Sequence, residues 1–201
     1  MPPPPRRLSY EDIRAEADRF LAEYWRSGAI PVDIDHILDV GLRIDVVPVP
    51  YLLDDSEIDG LLAADRTAIW VDEFVYHNRL HRYRFTLAHE LGHLWLHRDL
   101  YEAASFTSID EWKAFIASIP DEDYGWYEWQ ANCFGGLVLV SRDQLAEKIV
   151  ETLDMARSRG FEPDMQEESQ RRVIAEWIGR RFEVSAEVIL KRGAYDGHWP
   201  K

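Results

Sequence analysis

The chain has 201 residues, of which 46% are hydrophobic, 12% aromatic and 30% charged, and its formal net charge is −14. That profile excludes a disordered chain and leaves room for one core, as one domain or one domain with a small appendage. The acidity argues against broad contact with nucleic-acid backbones and with anionic membranes, which both need clustered Lys and Arg; a protein, peptide or small molecule is the better partner.

Beyond a Pro-rich start (Pro2 to Pro5), Ser9 with Asp12 three residues on resembles a capping box. Apolar residues at Ile13, Ala17, Phe20, Leu21 and Tyr24 then predict an amphipathic helix ending near Gly28. A short helix is expected from Asp33 to Val40, stopped by Gly41, before LRIDVVPVP turns extended; Pro48 and Pro50 confine that strand to an edge or end it. IDGLLAA and TAIWV flank Asp65-Arg66 and read as a β-hairpin over about residues 58 to 72. Helices follow from near Phe85, at 109 to 118, from Trp126 through WYEWQANCFGGLVLV, and at about 142 to 158, 170 to 181 and 185 to 192.

A single cysteine, Cys133, permits no intramolecular disulfide, as befits a reducing compartment. Prolines stand where a signal peptide carries an apolar run, and no segment approaches the ~20 apolar residues of a membrane span. The expected location is cytoplasmic.

The chemistry concentrates in RYRFTLAHELGHLWLH. On a helix turning about 100° per residue, Leu87, Leu91 and Leu94 form one stripe, with His89 and His93 on roughly the opposite side. Residues four apart stand one turn from each other, so both imidazoles can reach one zinc ion, and Glu90 lies beside them to take a proton from water. Gly92 costs about 1 kcal/mol relative to Ala inside a helix, which points to a close neighbour such as a second helix. His97 continues the series, yet about 12 Å of helix rise separates it from His89, too far to share one ion.

A catalytic zinc takes three protein ligands, so a third is needed. Asp99 lies six residues after His93, an offset that works when the chain turns sharply, but Leu96 occupies the place of the turn-forming glycine. Glu128 shares a helix face with Asn132, Gly135 and Leu139, a pattern suited to tight packing against the Gly92 region, with Asn132 one turn on as a support for a ligand. Cys133 lies about 140° around that helix from Glu128 and reads as a small buried residue.

RFTLAHELGHLWLH followed by EWQANCFGGLVLV resembles the ImmA/IrrE-type metallopeptidases. Arg82, Arg84, Phe85, Thr86, His89, Glu90, His93, His97, Glu128, Ala131, Asn132 and Phe134 all fall on that pattern, and the likeness spans about residues 30 to 141. Two positions depart from it: Val140 stands where a Pro is frequent, and Gln130 where an acidic residue is frequent. The resemblance implies an α+β, zincin-like fold in which a small mixed sheet packs on the central HExxH helix, with helices following. It implies a zinc-dependent endopeptidase with His89, His93 and Glu128 as metal ligands, Glu90 as general base, and Asn132 and His97 in support. The implied substrate is a helix-turn-helix repressor of a mobile element or stress response, laid along an edge strand near Ile69 to Val71. Tyr124, Tyr127, His77 and His81 are the candidates for an oxyanion donor. Manganese and iron also suit two histidines and a carboxylate.

On this reading residues 1–141 form the metallopeptidase core and residues 142–201 a helical segment packed on or appended to it. RRVIAEWIGRRFEVSAEVILKRG, with Ser185 as an N-cap, also reads as a helix-turn-helix carrying Arg171, Arg172, Arg180, Arg181, Lys191 and Arg192, so a DNA-binding regulator is one alternative. A zinc-fold sensor with little proteolysis is another, and buried histidines without metal a third.

Overall fold

In the computed structural model, which describes residues 2–199, short polar side chains start the N-terminal helices. Ser9 caps α1 (Tyr10–Tyr24) through a full capping box: its hydroxyl accepts from the Asp12 amide at 3.2 Å, and the Asp12 carboxylate accepts from the Ser9 amide at 2.9 Å. Asp33 accepts from the His36 amide at 3.0 Å to begin α2 (Ile34–His36), which widens into a π-helical turn over Ile37–Leu42. The stop expected at Gly41 is supplied instead by Arg43, whose φ of 58° is left-handed. Gly41 lies inside the last turn, where a Cβ would stand 3.1 Å from the Tyr24 ring.

Three strands follow: β1 (Asp45–Val49), β2 (Gly60–Leu62) and β3 (Ala68–Asp72), in spatial order β1-β3-β2. β1 runs parallel to β3, and β2 pairs antiparallel with β3 through a turn at Asp65 and Arg66. The edge position expected near Ile69 to Val71 is thereby corrected. The hairpin folds β2 onto one side of β3 while β1 takes the other, so β3 is central and β2 is an edge. The Asp45 amide donates to Thr67 on the β3 side, and alternation turns the Val46 and Pro48 positions outward. Pro48 therefore removes an outward donor and no ladder bond.

Asp72, 3% exposed, joins the sheet to two short helices that periodicity does not reveal. Its carboxylate accepts from the Leu53 amide in α3 (Leu52–Ser56) at 2.9 Å and from the Val75 amide in α4 (Glu73–Asn78) at 3.0 Å. The motif helix α5 runs Leu80–Leu96, starting ahead of Phe85. After it come α6 (Arg98–Glu102), α7 (Ile109–Ala117) and α8 (Asp121–Leu139). The remaining helices are α9 (Arg142–Ser158), α10 (Glu168–Phe182) and α11 (Ala186–Tyr195), the last capped by Ser185.

α5 and α8 meet backbone to backbone. A Cβ on Gly92 would lie 2.8 Å from Ala131 Cα, and one on Gly135 would lie 2.9 Å from the Ala88 carbonyl carbon. Small residues on both helices permit the approach, and Phe20 of α1 closes the core over it, edge-on to Phe134 with ring centroids 5.6 Å apart. The C-terminal helices attach through Arg192, which donates to the Val140 carbonyl at 3.1 Å and pairs with Asp196 at 2.8 Å. Tyr195 stacks on Tyr10 at 4.8 Å.

Gly92→Ala should destabilise the protein although Ala is the better helix former. Because the clash is with backbone, overpacking takes the upper part of its usual range, about 2–3 kcal/mol, and propensity returns about 1, so a net loss of about 1–2 kcal/mol is expected. Thermal unfolding in chelator should show a melting point lowered by about 2–4 °C per kcal/mol; an unchanged or raised one would contradict the tight crossing.

Candidate metal centre

The glycine-permitted crossing brings Glu128 of α8 over the histidines of α5. His89 Nε2 and His93 Nε2 stand 3.0 Å apart, and the Glu128 carboxylate oxygens lie 3.4 Å from the first and 3.3 Å from the second. Donors bound tetrahedrally to zinc at 2.0–2.1 Å are separated by about 3.3 Å, so these three groups match the spacing one ion requires. Among the described residues this is the group of His, Cys, Asp and Glu side chains able to hold a metal. Asp99, the other sequence candidate, is exposed on α6 and outside it. Cys133 is buried nearby as a thiol, its pKa pushed up to about 12 by burial.

The charges reinforce this arrangement. Burial works to raise the Glu128 carboxyl, but hydrogen bonds and charge from His89 and His93 outweigh it and hold Glu128 far below the usual carboxylate range. Burial likewise opposes the charged form of His89, and Glu128 and Glu90 together overcome it, so its pKa is raised. Glu90 differs from Glu128. It is 5% exposed, and burial raises its pKa, as suits a group that must accept a proton. Its Oε2 accepts from the Leu62 amide of β2 at 2.8 Å, and its Oε1 lies 4.0 Å from His89 Nε2.

Asn132 and His97, expected as supports, each touch one or more of the three donor residues. Asn132 Nδ2 donates to the Glu128 carbonyl at 2.8 Å, and the same side chain is hydrogen-bonded to His89. His97 Nδ1 lies 3.0 Å from His93 Nδ1. Burial, with the His93 ring beside it, pulls the His97 pKa down to about 2, so this imidazole is neutral.

A cleft of about 260 Å³ opens on the three donors, lined also by Ile58 to Leu61 and by Phe106, Trp112, Phe115 and Ile116. Of the four oxyanion candidates, Tyr124 lines this cleft and hydrogen-bonds Glu128. Tyr127 spends its hydroxyl on the Pro3 carbonyl at 2.9 Å. His77 packs against Tyr76 on α4, and His81 lines a separate cavity. Sequence reasoning missed Tyr101, which is 8% exposed in the same cleft. Burial, with Glu90 and Glu128 nearby, keeps its hydroxyl protonated. The four-residue spacing from His93 through His97 to Tyr101 was the available signal.

The sequence pattern of the IrrE N-terminal-like domain, a peptidase family, matches residues 74–193. The chain belongs to this family. The IrrE-like match takes in α5 and α8, hence all three donors, and reaches into α11. It agrees with the α+β architecture seen here, a small mixed sheet against the HExxH helix. No curated protein sequence matches the chain. Among solved structures, a Mycobacterium tuberculosis transcriptional regulator superposes with a TM-score of 0.52 at 18% identity, over 90% of this chain and 46% of that one. At that identity the likeness speaks for the fold, and the present chain spans less than half of that protein.

Metal content separates the two third-ligand candidates. Glu128→Ala, and the double variant His89→Ala/His93→Ala, should lose the bound ion in elemental analysis, whereas Asp99→Asn should retain a full equivalent. Metal kept by Glu128→Ala would remove α8 from the site.

Proposed function

We propose that this IrrE-like chain is a zinc-dependent endopeptidase acting on an extended segment of a protein substrate, with a helix-turn-helix repressor as the substrate class. The observation that carries the reading is the position of Glu90, fixed between the amide of an edge strand and a converging set of two imidazoles and a carboxylate. Zinc held by His89, His93 and Glu128 supplies Lewis acidity toward a carbonyl oxygen and lowers the pKa of water; manganese or iron suits the same donors.

The chain's own groups account for the rest. The Leu62 amide occupies Glu90 Oε2, which leaves Oε1 to take a proton from an attacking water. The Tyr101 hydroxyl, kept protonated, is a donor in the cleft for charge developing on a carbonyl oxygen, whereas the Tyr124 hydroxyl is engaged with Glu128. Bonds from Ala63 to Ala68 and from Asp72 to Asp59 direct those β2 positions toward β3, so Gly60 and Leu62 face outward. A substrate strand along β2 would use the Gly60 amide and carbonyl and the Leu62 carbonyl. The apolar side chains of α7 offer a wall for a substrate side chain.

DNA binding through α10 and α11 draws less support. Arg192 is buried, Arg171 donates to the Met165 and Gln166 carbonyls, and Arg172 and Lys191 both pair with Glu187.

The zinc-loaded protein, incubated with purified helix-turn-helix repressors and with a peptide library, should generate new N-termini detectable by mass spectrometry. Glu90→Gln should keep its metal and slow cleavage by about 10²–10⁴-fold. Zinc-loaded protein that produces no Glu90-dependent terminus would sink the peptidase reading and favour a metal-dependent sensor.

A further inference from the structure

A chain of hydrogen bonds leads from the metal centre to the N-terminal arm, and its direction can be worked out from its two ends. The Arg6 carbonyl can only accept. Gln130, 1% exposed, stands 2.6 Å from it, so the amide nitrogen must face Arg6 and the amide oxygen must face the other way, toward His97 Nε2 at 3.3 Å. His97 Nε2 therefore carries a hydrogen, and since one hydrogen occupies the 3.0 Å gap between His97 Nδ1 and His93 Nδ1, the arrangement that leaves His93 Nε2 bare for an ion is the one in which His97 Nδ1 is bare. His93 Nδ1 then donates that hydrogen, leaving the His93 Nε2 lone pair free to aim at Glu128 and His89.

The arm that supplies the carbonyl is firmly seated on α8. Tyr127 donates to the Pro3 carbonyl at 2.9 Å, Arg7 pairs with Glu122 at 3.0 Å and Asp123 at 3.3 Å, and its guanidinium lies 4.8 Å from the Trp126 ring centre. Gln130 belongs to both systems. An acidic side chain there could accept from His97 but could not donate to Arg6.

We infer that the N-terminal arm is part of the metal centre: through Gln130 and His97 the Arg6 carbonyl sets the tautomer of the ligand His93, and arm seating and metal binding are coupled. Gln130 and His97 are positioning residues in this scheme. The inference rests on His93 being a metal ligand. Coupling must be reciprocal, so the ion should hold the arm down as the arm holds the ion.

Zinc affinity, measured by chelator competition on the full chain, is the first test. Gln130→Met, which removes both polar atoms, should weaken zinc by about 10-fold, while Gln130→Glu, which keeps an acceptor for His97, should stay within about threefold of the parent. Zinc should slow tryptic cleavage after Arg6 and Arg7 in the parent, and this protection should vanish in both variants. Parent-like affinity in Gln130→Met overturns the coupling. So does an equal loss in both variants, which would make the effect one of arm packing. Nitrogen-15 spectra of the zinc-loaded parent provide a test that needs no variant: His97 should carry its proton on Nε2, and a proton on Nδ1 overturns the scheme. If the parent itself binds no zinc, the metal-centre reading falls, a result distinct from all of these.

Discussion

The donor set depends on a contact that contains almost no side chain. Gly92 lies against Ala131, and Gly135 lies against Ala88 and His89. These positions let α5 and α8 approach until Glu128 stands 3.3–3.4 Å from two imidazole nitrogens. A site of this kind tolerates displacements of about 0.5 Å, less than a single methyl group inserted between the helices would demand. The residues that matter most to the geometry are thus ones with no chemistry of their own.

Beside this contact three side chains that have left water are matched. Glu90 has the Leu62 amide, His93 has His97, and His97 has Gln130. Arg84, 5% exposed on the same helix, donates to the Val32 carbonyl at 2.7 Å and the Glu183 carbonyl at 3.2 Å. α5 is consequently held at its start by the segment ahead of α2 and by the bend between α10 and α11, and near its end by the network behind His93. An orphaned member would cost about 1–3 kcal/mol and would loosen the helix that carries three of the four principal groups.

The parts legible from sequence were those with a strong period or a local chemical signature. The Ser9 and Ser185 caps, the face of α1 with Ile13, Ala17 and Phe20, the hairpin about Asp65-Arg66 and the helix over 142–158 all carry such signatures. His89, His93 and Glu128 could be placed together because the small residues of α8 announce close packing. The short helices α3, α4 and α6 were not visible, since five or six residues hold too little of a 3.6-residue period. The order of the strands was misread near Ile69 because hydrophobic content tells that a strand is buried and not which neighbours bury it. The Leu62 amide that orients Glu90 has no residue-type signal at all, being backbone. Gln130 was visible only as a departure from a pattern, and its two hydrogen bonds required coordinates.

The sheet has two rims of unequal character. On the β1 rim, Pro48 stands at an outward position and offers no donor to an incoming chain, whereas the β2 rim faces the cleft with the main chain of Gly60 available. A sheet open on both sides can add a strand to each and keep growing from molecule to molecule, which is the route to fibrils. With one rim blunted, two copies paired rim to rim through β2 would have no second rim from which to grow. The same proline that leaves the β1–β3 ladder whole thus makes the sheet one-sided, with its outward amide and carbonyl at Gly60 on the side where the acidic and imidazole groups are.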